Sequence, residues 1–578
     1  MVPQSGFKFR LPAKFRPANE LRLSAKFRLA ALVPVLAVAP FAGLVLHTPG
    51  LAAQMQRDNK PSETGAMPPK SWIDKDTGHR VWRVSDEPNS GAFYFNVNAF
   101  TPDHKQMVYN SPDGIRVLDL ASMTTKVLVA NLPPPPPPPA APPTATDATA
   151  AGQAGQGARG GGRGFGGGAR AIVVGHKSNS VFFTRMDPVT RTNAVYKADT
   201  NTGAVTKLID LPPRVSISSV NADETLGAGT YNEADCPGGD PNAPNAFLAA
   251  PTGGFGRGIG AGGTRTQAAP AASAAGAPAA VNPALVSPAD ASPTLGGANV
   301  QSDDKGAMME RRLAARIPVV LFTIRLEPGP NGEKAGTIKM LLHSTDWVNH
   351  LLFSPTDPQL LMYCHEGMWQ KVDRIWLIHT DGSQNTLIHK RSMAMEIAGH
   401  EFWGLDGKTI WYDWQYPKGE DFFVASYNLD THKRVAYHLQ RNEWSIHFNL
   451  TQDLDLFCGD GGDSGQVASA PDGEWVELFR PQMMGGTEGA LNDPNFFQPG
   501  VFHSEHLVNM AHQNYRAEPN PRFSPDKKYV FFTSNMFGRS YVFAVEVAKA
   551  ADQTGAVSTP ELATQFNPTM PTPTTTQK

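Results

Sequence analysis

One polar residue keeps returning at the same place in a repeated unit. The copies read His350-Leu-Leu-Phe353-Ser-Pro, His400-Glu-Phe-Trp403-Gly-Leu, His447-Phe-Asn-Leu450-Thr-Gln-Asp and Asn520-Pro-Arg-Phe523-Ser-Pro-Asp. In each, a side chain able to bind a metal or a proton stands three residues before a large apolar residue that opens a turn. A strand-type run follows every turn: Leu360-Leu-Met-Tyr, Thr409-Ile-Trp-Tyr, Leu454-Asp-Leu-Phe and Tyr529-Val-Phe-Phe. One chemical role placed in successive repeats aims several side chains at a common axis.

Seven such units can be counted. They begin near Phe100, in the segment 175–184, and near Val220, Phe353, Trp403, Leu450 and Phe523. The steps from Phe353 to Trp403 and from Trp403 to Leu450 are 50 and 47 residues, the period of four-stranded propeller blades. Helical periodicity is nearly absent, and Asp303–Ile317 is the one helix expected. The fold expected is an all-β, seven-bladed β-propeller over residues 54–548.

Low-complexity tracts interrupt the pattern. Residues 132–170 hold seven consecutive prolines (133–139), then Ala/Thr and Gly/Arg runs, and residues 249–300 are rich in Ala, Gly and Pro. Such sequence cannot bury enough apolar surface to offset its ordering entropy, so disordered insertions are expected over 132–170 and 236–302, with a disordered tail over 549–578. Closure entropy grows only with the logarithm of loop length, so the repeats can continue past them.

The N-terminus reads as an export signal over residues 1–53. Lys8, Arg10, Lys14, Arg16, Arg22, Lys26 and Arg28 precede an apolar run over 29–46, and Leu51-Ala-Ala53 offers small residues for cleavage. The rival is an uncleaved anchor; either way the rest of the chain is expected outside the cytoplasm, in the periplasm or secreted. No later segment approaches the roughly 20 apolar residues of a membrane helix, so no membrane association is expected after cleavage. A net charge of −2 argues against a nucleic-acid partner. Cys236, Cys364 and Cys458 show no paired metal spacing and form no disulfide framework. The Gly-rich stretch 159–168 lacks the Gly-Lys-Ser/Thr ending of a phosphate loop. Oligomeric state is not legible.

In a propeller blade the innermost strand precedes the Phe-Ser-Pro-Asp turn and the next strand returns antiparallel. His350, His400, His447 and Asn520 then share the channel mouth with His365, at the end of a second strand. Glu518 joins them by period-2 alternation with Asn520. Histidines with a carboxylate and an amide suit Mn, Fe, Ni or Zn. His365 is the natural candidate for a general base, since imidazole titrates near neutral pH. The rival reading makes each histidine a hydrogen-bonded structural residue. Trp369, Trp376, Trp403, Trp411, Trp414 and Trp444 suit either a sugar platform or blade cores.

At Tyr363-Cys-His-Glu-Gly367 with Val372-Asp-Arg-Ile-Trp376, Gly399-His-Glu-Phe-Trp403, and Glu518-Pro-Asn-Pro-Arg-Phe-Ser-Pro-Asp526 with Phe531-Phe-Thr-Ser-Asn535, the chain resembles the oligogalacturonate lyases, polysaccharide lyase family 22. The resemblance is close over about 340–545 and loose over 68–235. It implies a seven-bladed propeller that cleaves short galacturonides by β-elimination with a manganese-type ion. It further implies His365 as the proton-abstracting base and His400 as a metal ligand. The family's Gln-x-x-His-Pro-His ligand segment reads Tyr515-Arg-Ala-Glu518-Pro-Asn520 here, leaving Glu518 and Asn520 as oxygen ligands. His447 completes the expected metal set. His350, Trp403, Tyr515 and Arg516 are the expected substrate contacts, and Arg374 is preferred over Arg516 and Lys371 as the clamp on the substrate carboxylate.

Chemically, a cation on the uronate carboxylate stabilises the enolate-like intermediate, and a positioned base adds about 10²–10⁴-fold. Three functions follow: an exported oligouronide lyase, a non-catalytic periplasmic propeller that binds a protein or glycan, and a metal-dependent hydrolase or epimerase.

Overall fold

Side chains that replace missing backbone partners open the repeated turns. Ser524 donates its hydroxyl to Asp526 and accepts the Tyr529 N–H at 3.0 Å, while Asp526 accepts the Lys528 N–H at 3.2 Å. Thr101 and Asp103 do the same ahead of the strand Gln106–Ser111. These are the hydroxyl and carboxylate turns that Ser/Thr-Pro-Asp favours, and they set the register of the hairpins that follow.

The computed structural model describes residues 67–132, 168–187, 192–248, 300–463, 466–485 and 495–566. Among them lie six sheets, and the eight-stranded one is two antiparallel blades joined at their rims, which makes seven blades. Blade 1 holds Gln106–Ser111, Gly114–Asp119 and Thr124–Ala130. Blade 2 runs from Arg170–Val174 to Val205–Asp210, and blade 3 from Ser216–Val220 to Ile338–Ser344. Blade 4 runs from Trp347–Phe353 to Thr386–Leu387 and blade 5 from Ile397–Trp403 to Arg434–Leu439. Blade 6 spans Ile446–Leu450 to Phe497–Asn509. Blade 7 combines Arg522–Phe523, Tyr529–Ser534 and Tyr541–Lys549 with His79–Arg83 and Ser71–Ile73 from the start of the described chain.

Two features tie the ring. In blade 7, Val81 to Arg83 pairs with Phe543 to Val545, so both ends of the described chain share one sheet. Blades 5 and 6 are joined by a parallel ladder from Arg434–Phe497 to His438–Val501. Apolar side chains from facing sheets fill the gaps between blades: Leu360, Met362, Trp403, Ile410 and Tyr412 form one such layer between blades 4 and 5. The alternation of each strand sends one face to each neighbour.

Low-complexity sequence enters where the ladder tolerates it. The second tract interrupts blade 3 between its second and third strands, yet Asn232 pairs with Val319 and the ladder runs unbroken to Leu226–Arg325. The ends of the first meet where Asn131 accepts the Ala169 N–H at 2.8 Å. The expected helix spans Val300–Ala315 (α1).

Two expected boundaries need correction. Residues 236–248, assigned to the second insertion, pack on blade 3. Cys236 and Phe247 are buried, Phe247 meets Tyr231 edge-on, and Asn242 exchanges two hydrogen bonds with Ile338. The tail assigned to 549–578 includes a helix, Thr559–Phe566 (α2), with Leu562 and Ala563 in the core beside Trp72. Its Thr559 hydroxyl donates to Asp74 at 2.9 Å and accepts the Trp72 indole N–H at 2.8 Å. The other expected low-complexity residues, and the signal over 1–53, lie outside the described residues. Among the described residues no helix is long and apolar enough to cross a membrane.

The α2 contact is testable by urea denaturation. Leu562→Ala is expected to cost about 2–4 kcal/mol through the cavity it leaves. Glu561→Ala, on the exposed face of the same helix, should stay within about 1 kcal/mol.

Candidate functional site

The recurring residue occupies a special backbone position. His350, His400, His447 and Asn520 have φ of 48°, 47°, 51° and 51°, the left-handed region that non-glycine residues seldom enter. In the three histidine blades the cause is an extra residue in the innermost strand. Between Asn349–Cys364 and Leu352–Met362 the inner strand advances three residues while its partner advances two, and the same slip recurs at Gly399–Asp413 to Phe402–Trp411 and at Ile446–Asp460 to Asn449–Cys458. Such a bulge re-aims the side chain it carries.

Each imidazole meets a buried acid from the neighbouring strand. His400 Nδ1 lies 2.6 Å from Asp413, His447 Nδ1 lies 3.1 Å from Asp460, and His350 Nε2 lies 3.1 Å from Glu366. Asp413 and Asp460 hold equivalent register positions, each opposite the residue just before the histidine. Blade 4 has Cys364 at that position, so His350 turns to Glu366, two residues further on the same face. The rings of His400 and His447 are 4.8 Å apart.

A buried cation stands beside them. Arg374 donates to Glu366 at 2.6 Å, and its guanidinium lies 4.4 Å from the Trp369 ring, whose edge meets the His400 ring at 4.7 Å. Burial works against the charge on Arg374, but Cys364, Glu366 and Glu401 more than restore it. Burial also works against the Glu366 carboxylate, and Arg374 and His350 outweigh it, holding the group well below the usual range. Gly399 permits this approach: a Cβ there would come within 2.6 Å of Trp369 and 3.0 Å of Arg374 Nε. Glu401, next to His400, is buried with neither carboxylate oxygen hydrogen-bonded.

A segment far away in sequence completes the cluster. Tyr94 meets His350 and His447, and Phe95 meets His400 and His447. The Asn520 side-chain oxygen accepts the Phe95 N–H at 3.0 Å.

Four expected roles change. His365 does not join the cluster: strand alternation sends it to the face opposite Glu366, where it packs 4.9 Å from Trp376 with Nδ1 3.6 Å from Asp346. Burial lowers its pKa. Trp403, expected to contact substrate, is buried in the layer between blades 4 and 5, its indole donating to Leu352 O at 3.1 Å. Arg516 is exposed, its backbone N–H donating to Asn514 at 3.0 Å, and among the described residues no hydrogen bond or ion pair joins its side chain to the cluster. Tyr515 is within the cluster but committed: its hydroxyl donates to Asp460 and lies 3.2 Å from His447 Nδ1, and burial and Asp460 keep it a neutral phenol.

The donor set does not fit the expected ion. Asn520 spends its amide oxygen on Phe95 and its amide nitrogen on the Glu518 carbonyl at 3.0 Å. With Tyr515 held by Asp460, Glu518 is the one residue of the 515–520 segment left to offer an oxygen. Among the described residues no three His, Cys, Asp or Glu side chains converge closely enough to hold a metal.

The family model for oligogalacturonate lyase matches residues 330–551, which carry His350, Glu366, Arg374, His400, His447 and Tyr515. Over that segment the chain is similar to the oligogalacturonate lyases. An oligogalacturonide lyase of Pectobacterium atrosepticum is 25% identical over 225 residues, covering 37% of this chain and 53% of the relative. An oligogalacturonate lyase of Dickeya dadantii is 26% identical over the same length and shares. The chain thus spans about half the length of the curated relatives it matches. The fold extends further: an oligogalacturonate lyase solved in complex with manganese superposes with a TM-score of 0.51 at 16% identity, covering 85% of this chain and 98% of that one. The oligogalacturonate lyase of Vibrio parahaemolyticus gives the same score and identity over 84% and 100%. Within this family segment, Asp413 and Asp460 were missed by sequence reasoning, although each follows its histidine by 13 residues.

Glu366→Gln leaves the buried Arg374 unpaired and is expected to cost about 3–5 kcal/mol at pH 7. Folding lowers the proton affinity of Glu366 below its unfolded value. Its stabilisation is therefore full above the unfolded carboxylate pKa of about 4.3 and fades as pH falls below it. Urea denaturation of both proteins from pH 7 to pH 3 should show the gap narrowing on the acid side.

Proposed function

We propose that this protein cleaves oligogalacturonides or related oligouronides by β-elimination, as a carbon–oxygen lyase on polysaccharide fragments. The observation that carries this reading is the His400–Asp413 pair, held against Trp369 and the buried Arg374 at the mouth of the channel.

Elimination from a uronate removes the proton from the carbon beside the carboxylate and expels the oxygen one carbon further on. The difficulty is charge, because the intermediate is a dianion. His400 suits the base: the buried Asp413 side chain holds its ring at Nδ1, which makes Nε2 the nitrogen that takes the proton. Arg374 contributes a buried positive charge, which acts more strongly than one in bulk water. Glu366 holds Arg374 and His350 together, and His350, partly exposed, offers a hydrogen bond to an incoming sugar. His365 is replaced as base by His400. No step is assigned to the manganese ion found with the family member of the same fold, because Tyr515 and Asn520 are committed elsewhere. We further propose a periplasmic or secreted location, on the basic and apolar leader over residues 1–53.

Incubation with trigalacturonate should raise the ultraviolet absorbance of an unsaturated uronate, with product masses summing to the substrate and no water added. His400→Ala is expected to lower kcat/KM by about 10²–10⁴-fold, and His365→Ala by less than about 5-fold against that range. An inactive folded wild type over a panel of uronides would sink the reading. Adding Mn²⁺ or removing it with chelator should change the rate less than about 2-fold, against the far larger loss expected of a Lewis acid. Strong stimulation would restore the expected ion.

A further inference from the structure

Tyr94 stands over the same pocket, on a segment outside the family match. That segment is pinned from several sides. The Arg522 guanidinium donates to Val97 O and Tyr94 O at 2.9 Å each, and also to Phe93 O. Asn520 accepts the Phe95 N–H, and Asn96 donates to Glu401 O at 3.1 Å. Phe93 and Phe95 are buried on either side, and Tyr94 stays partly open. Its ring lies 5.8 Å from His350 and 5.4 Å from His447, edge-on to both.

The site holds two phenols with different commitments. Tyr515 is bonded to Asp460 and His447. The Tyr94 hydroxyl has no hydrogen-bond partner among the described residues, and it lies in the field of Glu518, Glu401, Arg374 and Asp413. A phenol, with an ordinary pKa of about 10, carries its proton at neutral pH.

Elimination needs a proton at a second place. A sugar alkoxide is a poor leaving group, and a base alone leaves that barrier standing. We propose that Tyr94 is the general acid of the elimination, giving its hydroxyl proton to the glycosidic oxygen as that oxygen departs. This rests on the lyase reading. His400 takes the proton from C5, the freed electron pair forms the C4–C5 double bond, and the C4–O bond breaks. The Tyr94 proton goes to the departing oxygen, leaving a phenolate. Proton exchange through solvent returns one proton to Tyr94 and removes one from His400, and nothing is oxidised or reduced. Acid and base thus come from different parts of the ring: His400 from blade 5, and Tyr94 from the loop segment ahead of blade 1.

Tyr94→Phe keeps the ring and removes only the hydroxyl. Its kcat/KM should fall about 10²–10⁴-fold on trigalacturonate. On a uronate carrying 4-nitrophenoxide at C4, which leaves without a proton, the fall should be no more than about 3-fold against that range. Both substrates are measured on one preparation, so a partly unfolded fraction cancels in the comparison. Equal losses on both substrates would make Tyr94 a positioning residue and overturn the assignment. Full activity of Tyr94→Phe on both would overturn it while leaving the lyase reading intact. A wild type inactive on both substrates would remove the lyase reading and this proposal with it.

Discussion

One extra residue in the innermost strand is what the site depends on. A regular strand would point the recurring histidine at a neighbouring blade, where apolar layers leave no room for a charge. The bulge puts that residue at positive φ, and its ring turns to the axis. The backbone cost of such a conformation, of order 1–3 kcal/mol each, is tolerated because the ladder on either side of the slip is intact. The acids then follow from register: whatever sits opposite the residue before the bulge is within reach of the ring.

The site is rich in carboxylates and has few fixed cations. Arg374 is the buried one paired with Glu366 and laid over Trp369, and the surrounding acids keep it charged. Burial instead pushes Asp413 and Asp460 upward, and each lies in the field of further acids. Burial works against the charge on all three: carboxylate partners outweigh it at Arg374, whereas at Asp413 and Asp460 burial wins with the help of neighbouring acids, and His447 offsets it only in part at Asp460.

The repeat period and the turn chemistry were enough to read seven blades, and the spacing from each turn placed His350, His400, His447 and Asn520 on innermost strands. Both are local: a turn needs residues within five positions of one another. His365 was placed at the mouth by its distance from a turn and by the family resemblance; period-2 alternation from Glu366 puts it on the other face. Trp403 failed because an aromatic three residues after a site histidine is already past the bulge and back in the layer between blades. Tyr94 and Phe95 could not be seen at all, since they reach His447 across more than three hundred residues of sequence. The Leu562 anchor was hidden by the Thr/Pro-rich sequence after it.

The parallel ladder between blades 5 and 6 gives the site an uneven stiffness. His400 and His447 stand on one continuous sheet, from Ile397–Trp403 out to the rim at Arg434–Phe497 and back to Ile446–Leu450. Their separation can change only if that rim ladder breaks or both blades twist together. Blade 4 has no such link to blade 5, and side-chain layers alone hold it there. The cluster therefore has one side braced by backbone pairing, which carries His400 and His447, and one side held by side-chain packing, which carries His350 and Glu366.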